Sequence, residues 1–421
     1  MKLLFANHQM ETLAGSELHT ADLCRGFRRV GHEVALFTLV PGAISEALAR
    51  EDFRIYSLAD LRAASVEDFD LVYLHHSTCE ALLGPIFAGK SPIVRAHLGY
   101  VPELERPLSY GRPSGRVFGS EGVMEVLGSP ERAPSIVARN VYDDALMPAR
   151  DVEGLPEGPP SFAVVTNHLD TNLGMVLEEA KEKELLSYTL FGVEGRSVPV
   201  NAELLARFDA VVTIGRTVVL TAAMDKPVYV ADIHGSDGWL HPRNYSSSQR
   251  HSFSGRARGL KDQRAMREEL LDRRSWPGVR ELARLRELVS EDHALSRRVE
   301  ELERFFGLVI GAHRPNSAAA TDGRLGVIDF ADMLTNKAHL LNLRLEEQTH
   351  LFNLRLEEQT HLLNLRLELI TQNQEKLRLL EGRNENDRKE LDEIKASRVW
   401  KMVRKFDAVR EKARAVMQRK R

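Results

Sequence analysis

Cysteine is nearly absent: Cys24 and Cys79 are the only two in 421 residues. Two thiols build neither a disulfide framework nor a metal cluster, so they read as small buried hydrophobes and no metal is expected. Long apolar runs are missing as well. The opening MKLLFANHQ is too short an apolar stretch for a secretory leader, and nothing approaches the roughly 18 uninterrupted apolar residues of a membrane span. The expected location is cytoplasmic, with any attachment to an inner membrane peripheral. Neither sign of charge dominates, since 58 Lys and Arg face 61 Asp and Glu for a formal net charge of -3. That balance argues against nucleic acid as a partner of the whole molecule.

What is present is 43% hydrophobic content, enough in 421 residues for two α/β domains and a long tail. Candidate strands Lys2 to Ala6, Val34 to Thr38, Phe53 to Tyr56, Leu71 to Leu74, Ile93 to Ala96 and Arg116 to Gly119 alternate with helical stretches such as Glu17 to Val30. A second series runs through Phe162 to Thr166, Tyr188 to Phe191, Ala210 to Ile214 and Val228 to Ala231. Strands separated by helices imply parallel, doubly wound sheets. Pro148 to Pro160, rich in proline, glycine and acid, reads as a linker between them. The expected fold class is therefore α/β: two doubly wound, Rossmann-like domains facing a cleft, at 1–147 and 161–310.

The densest signal is Phe208 to Trp239, FDAVVTIGRTVVLTAAMDKPVYVADIHGSDGW, which reads as strand, glycine turn, helix, strand and second glycine turn. Gly215 frees the backbone to approach a phosphate, Arg216 offers charged donors, and Thr217 can cap the helix or contact a ligand. A capped helix start in any α/β domain accounts for the same residues, so both readings stand. Gly235, Ser236 and Asp237 form the second turn, where Asp237 either bonds a sugar hydroxyl or caps its own turn. Asn167 and His168 lie at another strand end. Asn244 to Arg256, NYSSSQRHSFSGR, reads as a polar loop, either closing over the cleft or simply solvated.

The first 38 residues carry a resemblance. KLLFAN, the loop Ala14-Gly15-Ser16-Glu17, the helix after it and Gly31-His32-Glu33-Val34 resemble the N-terminal domain of family 4 glycosyltransferases of the GT-B fold. That family's loop is glycine-glycine-serine-glutamate. DLVYLHH at 70–76 is similar to its D-V-V-H strand end, PIVRAHLG at 92–99 to the strand bearing an acceptor-side histidine, and RVFGSE at 116–121 to a strand ending in serine-glutamate. Arg139 to Asp143 resembles the crossing into the second domain. The resemblance implies a nucleotide-sugar donor and no further cofactor; the residues expected to bind it are Gly15, Ser16, Gly215, Arg216, Thr217 and the Gly235–Asp237 turn. It implies His97 as the group that orients or deprotonates an acceptor hydroxyl. His75, His76 and His97 equally read as structural histidines.

The second domain departs from the family pattern. The paired glutamates fall on Val212 and Leu220, and the usual glycine before Lys226-Pro227 is Asp225. FAVVTNH at 162–168 lacks the arginine and lysine that grip the donor pyrophosphate. Either donor binding has moved to Arg216, Thr217 and the second turn, or the domain no longer turns over a sugar nucleotide.

Beyond the second domain, 311–332 reads as a further linker. The near-identical units His339 to Thr349, His350 to Thr360 and His361 to Thr371 lie within a coiled coil expected at 333–394. An 11-residue period favours a right-handed or nearly straight supercoil, and the broad leucine stripe suggests self-association as a homo-oligomer. Packing of this helix on its own globular domains is the alternative. The tail 395–421 is a basic amphipathic segment whose acids are Asp407 and Glu411, suited to an anionic membrane surface or to a soluble helix end. Its SRVWK at 397–401 resembles the S-R-S-W-R tail of bacterial polysaccharide-assembly proteins. The expected function is transfer of a sugar to a bacterial surface polysaccharide or lipid-linked glycan. The alternative is a non-catalytic GT-B relative whose coiled coil organises other polysaccharide enzymes.

Overall fold

The computed structural model describes residues 1–11, 15–63, 69–108, 113–128, 133–147, 158–192, 195, 198–314, 367–376, 387–402 and 404–405. The chain divides into two units, Met1–Met333 and Leu334–Arg421. In the first unit, β1 (Lys2–Gln9), α1 (Gly15–Arg29), β2 (Glu33–Val40), α2 (Ala43–Arg50), β3 (Arg54–Tyr56), α3 (Leu58–Ala63), β4 (Leu71–His75), α4 (Ser77–Phe87), β5 (Ile93–His97), β6 (Gly115–Phe118), α5 (Glu121–Leu127) and β7 (Ser135–Val137) build one lobe. Its seven strands lie in the order β3-β2-β1-β4-β5-β6-β7, all parallel.

The first strand shows why the sequence folds this way. KLLFA is buried on both faces, so its alternate side chains feed two cores. Leu3 and Phe5 enter a core with Cys24 and Phe27 of α1, while Leu4 and Ala6 pack with Phe37, Val72, Leu74 and Cys79 on the opposite face. Both cysteines are buried and free, as small hydrophobes. Glu17 in its first turn and Arg28 and Arg29 in its last suit the dipole of α1. Gly31, at φ 91°, then turns the chain into β2.

The second lobe contains β8 (Ser161–Val165), α6 (Thr171–Glu182), β9 (Ser187–Phe191), α7 (Ala202–Ala206), β10 (Ala210–Thr213), α8 (Arg216–Ala223), β11 (Val228–Asp232), β12 (Gly235–Trp239), α9 (Pro242–Arg250), α10 (Gln263–Leu271) and α11 (Val279–His293). Its order is β12-β11-β10-β8-β9, parallel except for the antiparallel β12. In both sheets the connections reverse direction once, between β1 and β4 and between β8 and β10, and such switch points are where doubly wound sheets bind ligands.

All ten strands expected from the sequence, six and four, are present, and two more appear. Ser135–Val137 was not anticipated. The supposed turn at Gly235–Asp237 is a strand instead, β12, returning against β11 with a bulge between Val230 and Ala231. The glycines there serve close packing, since a Cβ on Gly235 would sit 2.4 Å from the carbonyl oxygen of Gly255. The expected polar loop at 244–256 is also corrected, because its first half is α9. Pro242 opens that helix, and Tyr245, Ser248 and Gln249 share its buried side.

The largest departure concerns α12 (Leu295–Ala312), assigned by sequence to the second domain. Its Leu295, Val299, Leu302, Phe305, Phe306 and Val309 join the core of the first sheet, where Phe306 stacks on Phe27 at 5.3 Å between ring centres. The chain thus crosses from the first lobe near Tyr142 and returns at Ala294. The two crossings are bonded to each other: the Tyr142 N–H donates to the His293 carbonyl at 3.1 Å, and the Leu295 N–H to the Tyr142 carbonyl at 3.0 Å.

In the second unit, residues 367–376 are helical and α13 spans Asp387–Ala396. Most of the expected coiled coil at 333–394, including the first two repeats, lies outside the described residues, as does most of the basic tail. No helix among the described residues is long and apolar enough to cross a membrane.

Truncating Phe306 to alanine should cost about 3–5 kcal/mol of stability, as for other buried aromatics. Denaturant unfolding of the full chain measures it. A loss below about 1 kcal/mol would show that α12 does not close the first core.

Candidate functional site

The carboxyl end of the first sheet is lined with histidines. His8 is the next-to-last residue of β1, His75 and His76 follow one another at the end of β4, His97 ends β5, and His19 approaches from α1. The rings are neighbours: His19 and His75 lie edge-on at 5.7 Å, His75 and His76 at 6.2 Å, and His8 and His76 at 6.3 Å. His76 sits at φ 67°, an uncommon conformation for a residue with a side chain, where the strand turns into α4. Its Nε2 is 3.8 Å from Oε1 of Glu105. Among the described residues no group of three or more His, Cys, Asp or Glu is arranged to hold a metal ion.

His97 is 1% exposed and stacks on Phe118 at 5.4 Å. Its Nδ1 lies 2.8 Å from the Glu105 carbonyl oxygen. A carbonyl only accepts, so Nδ1 carries the proton and the neutral ring keeps its lone pair on Nε2, which is buried without a partner. Burial, with help from Arg95, lowers the His97 pKa to about 3. The same burial takes His19 to about 3 and His75 well below its ordinary value. It works in the opposite sense on Glu105, pushing that carboxyl up to about 7. Arg95 itself is fully buried beside Glu80, 3.3 Å from its carboxylate.

At the carboxyl end of β10, Gly215 adopts φ 63° and ψ -130°, which L side chains rarely reach, and the space where a Cβ would stand is open. Its N–H is taken by the Phe253 carbonyl at 2.9 Å. Arg216 and Thr217 then form the first turn of α8. The Arg216 guanidinium reaches across to the first lobe, where Nε and Nη2 donate to one oxygen of Asp22 at 3.2 and 2.6 Å. Gly15 and Ser16 open α1, the helix that carries Asp22, and the space beside Gly15 is likewise open. The Ser16 hydroxyl donates to Glu17 at 2.6 Å. Arg216 therefore meets α1 at Asp22, nearly two turns along the helix from Gly15 and Ser16.

Ser236 and Asp237 do not join them with free side chains. Ser236 is 0% and Asp237 1% exposed. The Ser236 hydroxyl donates to the Tyr229 phenol oxygen, and Asp237 accepts from the Ser248 hydroxyl and the Arg258 N–H. Their polar atoms hold the sheet edge to α9. Val212 and Leu220, at the positions of the missing glutamates, are buried in apolar cores.

Three residues escaped the sequence reading. Asp22 is hidden because an acid in mid-helix looks solvated, and only its spacing of three from His19 placed it on the buried face. Glu105 lies in a short turn with no pattern. Asp232 ends β11, accepts the His234 N–H at 2.7 Å, and has its pKa raised by burial, with charges on His234, Arg256 and His168 opposing that shift.

The sequence matches no protein-family model and no curated protein. The fold does have solved counterparts. HepE of Anabaena, in complex with UDP and glucose, is 13% identical, with a TM-score of 0.53 over 73% of this chain and 100% of that one. The lipopolysaccharide outer core galactosyltransferase WaaB in apo form is 10% identical, with a TM-score of 0.46 over 73% of this chain and 100% of its own. MurG of Acinetobacter baumannii is 11% identical, with a TM-score of 0.44 over 73% of this chain and 100% of its own. With its two doubly wound sheets and returning helix, the first unit has the GT-B fold.

The buried histidines set a pH dependence. His19 and His97 at about 3, and His293 lowered by burial to about 4, bind fewer protons folded than unfolded. Stability is then fully present above the ordinary value of 6.5 and falls with pH from there toward about 3. Glu105, raised from 4.5 to about 7, opposes this because the folded chain holds its extra proton. His75 adds to the loss, while the raised carboxyls of Asp22 and Glu80 join Glu105 in opposing it; the rings outweigh them, so the protein should be less stable at pH 5 than at pH 7. Denaturant midpoints at both pH values measure this; a flat or rising profile would mean the rings are protonated in the fold.

Proposed function

We propose that the chain is a glycosyltransferase that moves a sugar from a nucleotide-activated donor to a bacterial surface polysaccharide or lipid-linked glycan. The observation that carries this is the start of α8. A glycine in a conformation it alone tolerates, open space beside it and a guanidinium in the next residue stand at the end of a central strand. Backbone N–H groups and a fork of charged donors at such a place suit a diphosphate. The fold it shares with HepE, solved with UDP and glucose, supports the same reading.

In this reading Arg216 and Thr217 take the donor diphosphate, and Gly15 and Ser16 border it from the first lobe. Transfer would then leave a nucleoside diphosphate whose added charge Arg216 stabilises. On the acceptor side His97 orients a hydroxyl through its Nε2 lone pair. With a pKa near 3 it is a weak store for a proton, so its part is alignment more than deprotonation. Gly235, Ser236 and Asp237 shape the edge strand and act on the donor only through it. The repeats would join copies of the chain, and the basic tail would rest on anionic lipid at the cytoplasmic face of the inner membrane.

A second reading is favoured by one observation: Val212 and Leu220 give the second lobe no carboxylate where the family holds its donor. A GT-B relative without turnover, organising other polysaccharide enzymes through its repeats, would look the same there.

Thermal unfolding of the full chain with UDP, GDP, ADP and CDP separates the two. A ligand at 100 times its Kd adds about 2.7 kcal/mol. One nucleotide should raise the melting temperature, and Arg216→Ala should abolish the shift. No shift with any of the four at millimolar concentration would leave the scaffold reading.

A further inference from the structure

Asp22 and Arg216 come from different lobes, 194 positions apart. Helix α1 is held by the core of the first sheet and α8 by that of the second. The contact uses a single carboxylate oxygen, and its side chains are largely shielded, at 9% exposure for Asp22 and 17% for Arg216. A carboxylate on a guanidinium and a phosphate on a guanidinium are the same kind of contact, differing in charge and in the number of oxygens offered. Three residues before Asp22 on the same helix, His19 is buried with both ring nitrogens unpartnered and lies within the influence of the Arg216 charge.

We propose that Asp22 is a specificity-determining residue: it occupies Arg216 as an internal stand-in for phosphate, so that a nucleoside diphosphate displaces it and a nucleoside monophosphate does so poorly. The proposal rests on the donor-site reading of Arg216 given above. The physical reason is competition for one cation. A monophosphate offers little more charge than the carboxylate it must replace, whereas a diphosphate brings extra charge and extra oxygens, which the open backbone at Gly215 can accommodate. The displaced Asp22 is not stranded. Arg25, one turn further along α1, adds favourable charge, while burial raises the Asp22 pKa so that a proton can replace the lost partner. Since the pair spans the two lobes, exchange also removes one tie between them.

The test is isothermal titration of the full-length protein with UDP and UMP, with the GDP, ADP and CDP pairs, and with inorganic pyrophosphate. It compares the wild type with Asp22→Asn, Asp22→Ser and Arg216→Ala. Asp22→Asn keeps the shape and removes the charge; Asp22→Ser replaces it should the amide disturb folding, with circular dichroism and melting as the check. Removing the competitor should tighten diphosphate binding about tenfold and shrink the preference for diphosphate over monophosphate by a similar factor, while Arg216→Ala binds neither. Binding seen only in the Asp22 variants would support the proposal equally. If Arg216→Ala loses binding but both Asp22 variants keep the wild-type affinities and ratio, or bind more weakly, Asp22 is not a competitor and the proposal falls alone. If no protein in the series binds any probe, the donor-site reading falls and takes this proposal with it.

Discussion

Two backbone hydrogen bonds at Tyr142 organise the first unit. Through them the segment leaving the first lobe and the segment returning to it run side by side, closed further by the His293 ring, whose Nδ1 lies 2.6 Å from the Asn140 carbonyl oxygen. Once the return is pinned there, α12 has one place to bury its apolar face, across Phe27 and the first sheet. The first core is thus completed by the last described helix of the first unit. Contacts between residues so far apart are slow to form and cooperative once formed, which ties the stability of one lobe to the presence of the other.

That geometry also sets which strand ends meet. The carboxyl end of β10 comes to α1, and Arg216 finds Asp22. The two sides of this meeting differ in electrostatics. The first lobe presents imidazoles that burial keeps neutral, backed by the buried Arg95. Neutral rings with lone pairs suit hydroxyl groups. The second lobe presents a permanent cation at a helix start, which suits an anion. This contrast in charge is what the proposed hydroxyl-binding and phosphate-binding sides rest on.

The fold was largely legible, and the reason lies in periodicity. Strands such as KLLFA and AVVT are continuous apolar runs because both faces of a parallel sheet are covered, and the helices between them repeat at helical spacing. The strand β12 was missed because glycines at 235 and 238 mimic a turn, when Gly235 lets the Gly255 backbone approach and Gly238 leaves room for the Lys261 and Glu269 side chains. The helix α9 was missed because its buried residues are Tyr245, Ser248 and Gln249, polar enough to read as loop. For α12 the periodicity was plain, yet an apolar stripe does not say which of two cores it will cover.

Of the candidate site, Gly215, Arg216 and His97 could be picked out from residue type and position at strand ends, because backbone freedom, permanent charge and ring chemistry are properties of single residues. Their partners could not. Asp22 opposite Arg216, the Glu105 carbonyl under His97, and the burial that drives those imidazoles neutral all arise between segments distant in the chain. Sequence by itself determined the α/β class, the placing of the glycine turn at β10 and the lack of carboxylates at Val212 and Leu220. Tertiary structure alone decided the return of α12 and the ion pair between lobes, since both depend on which surfaces remain uncovered after each sheet has formed.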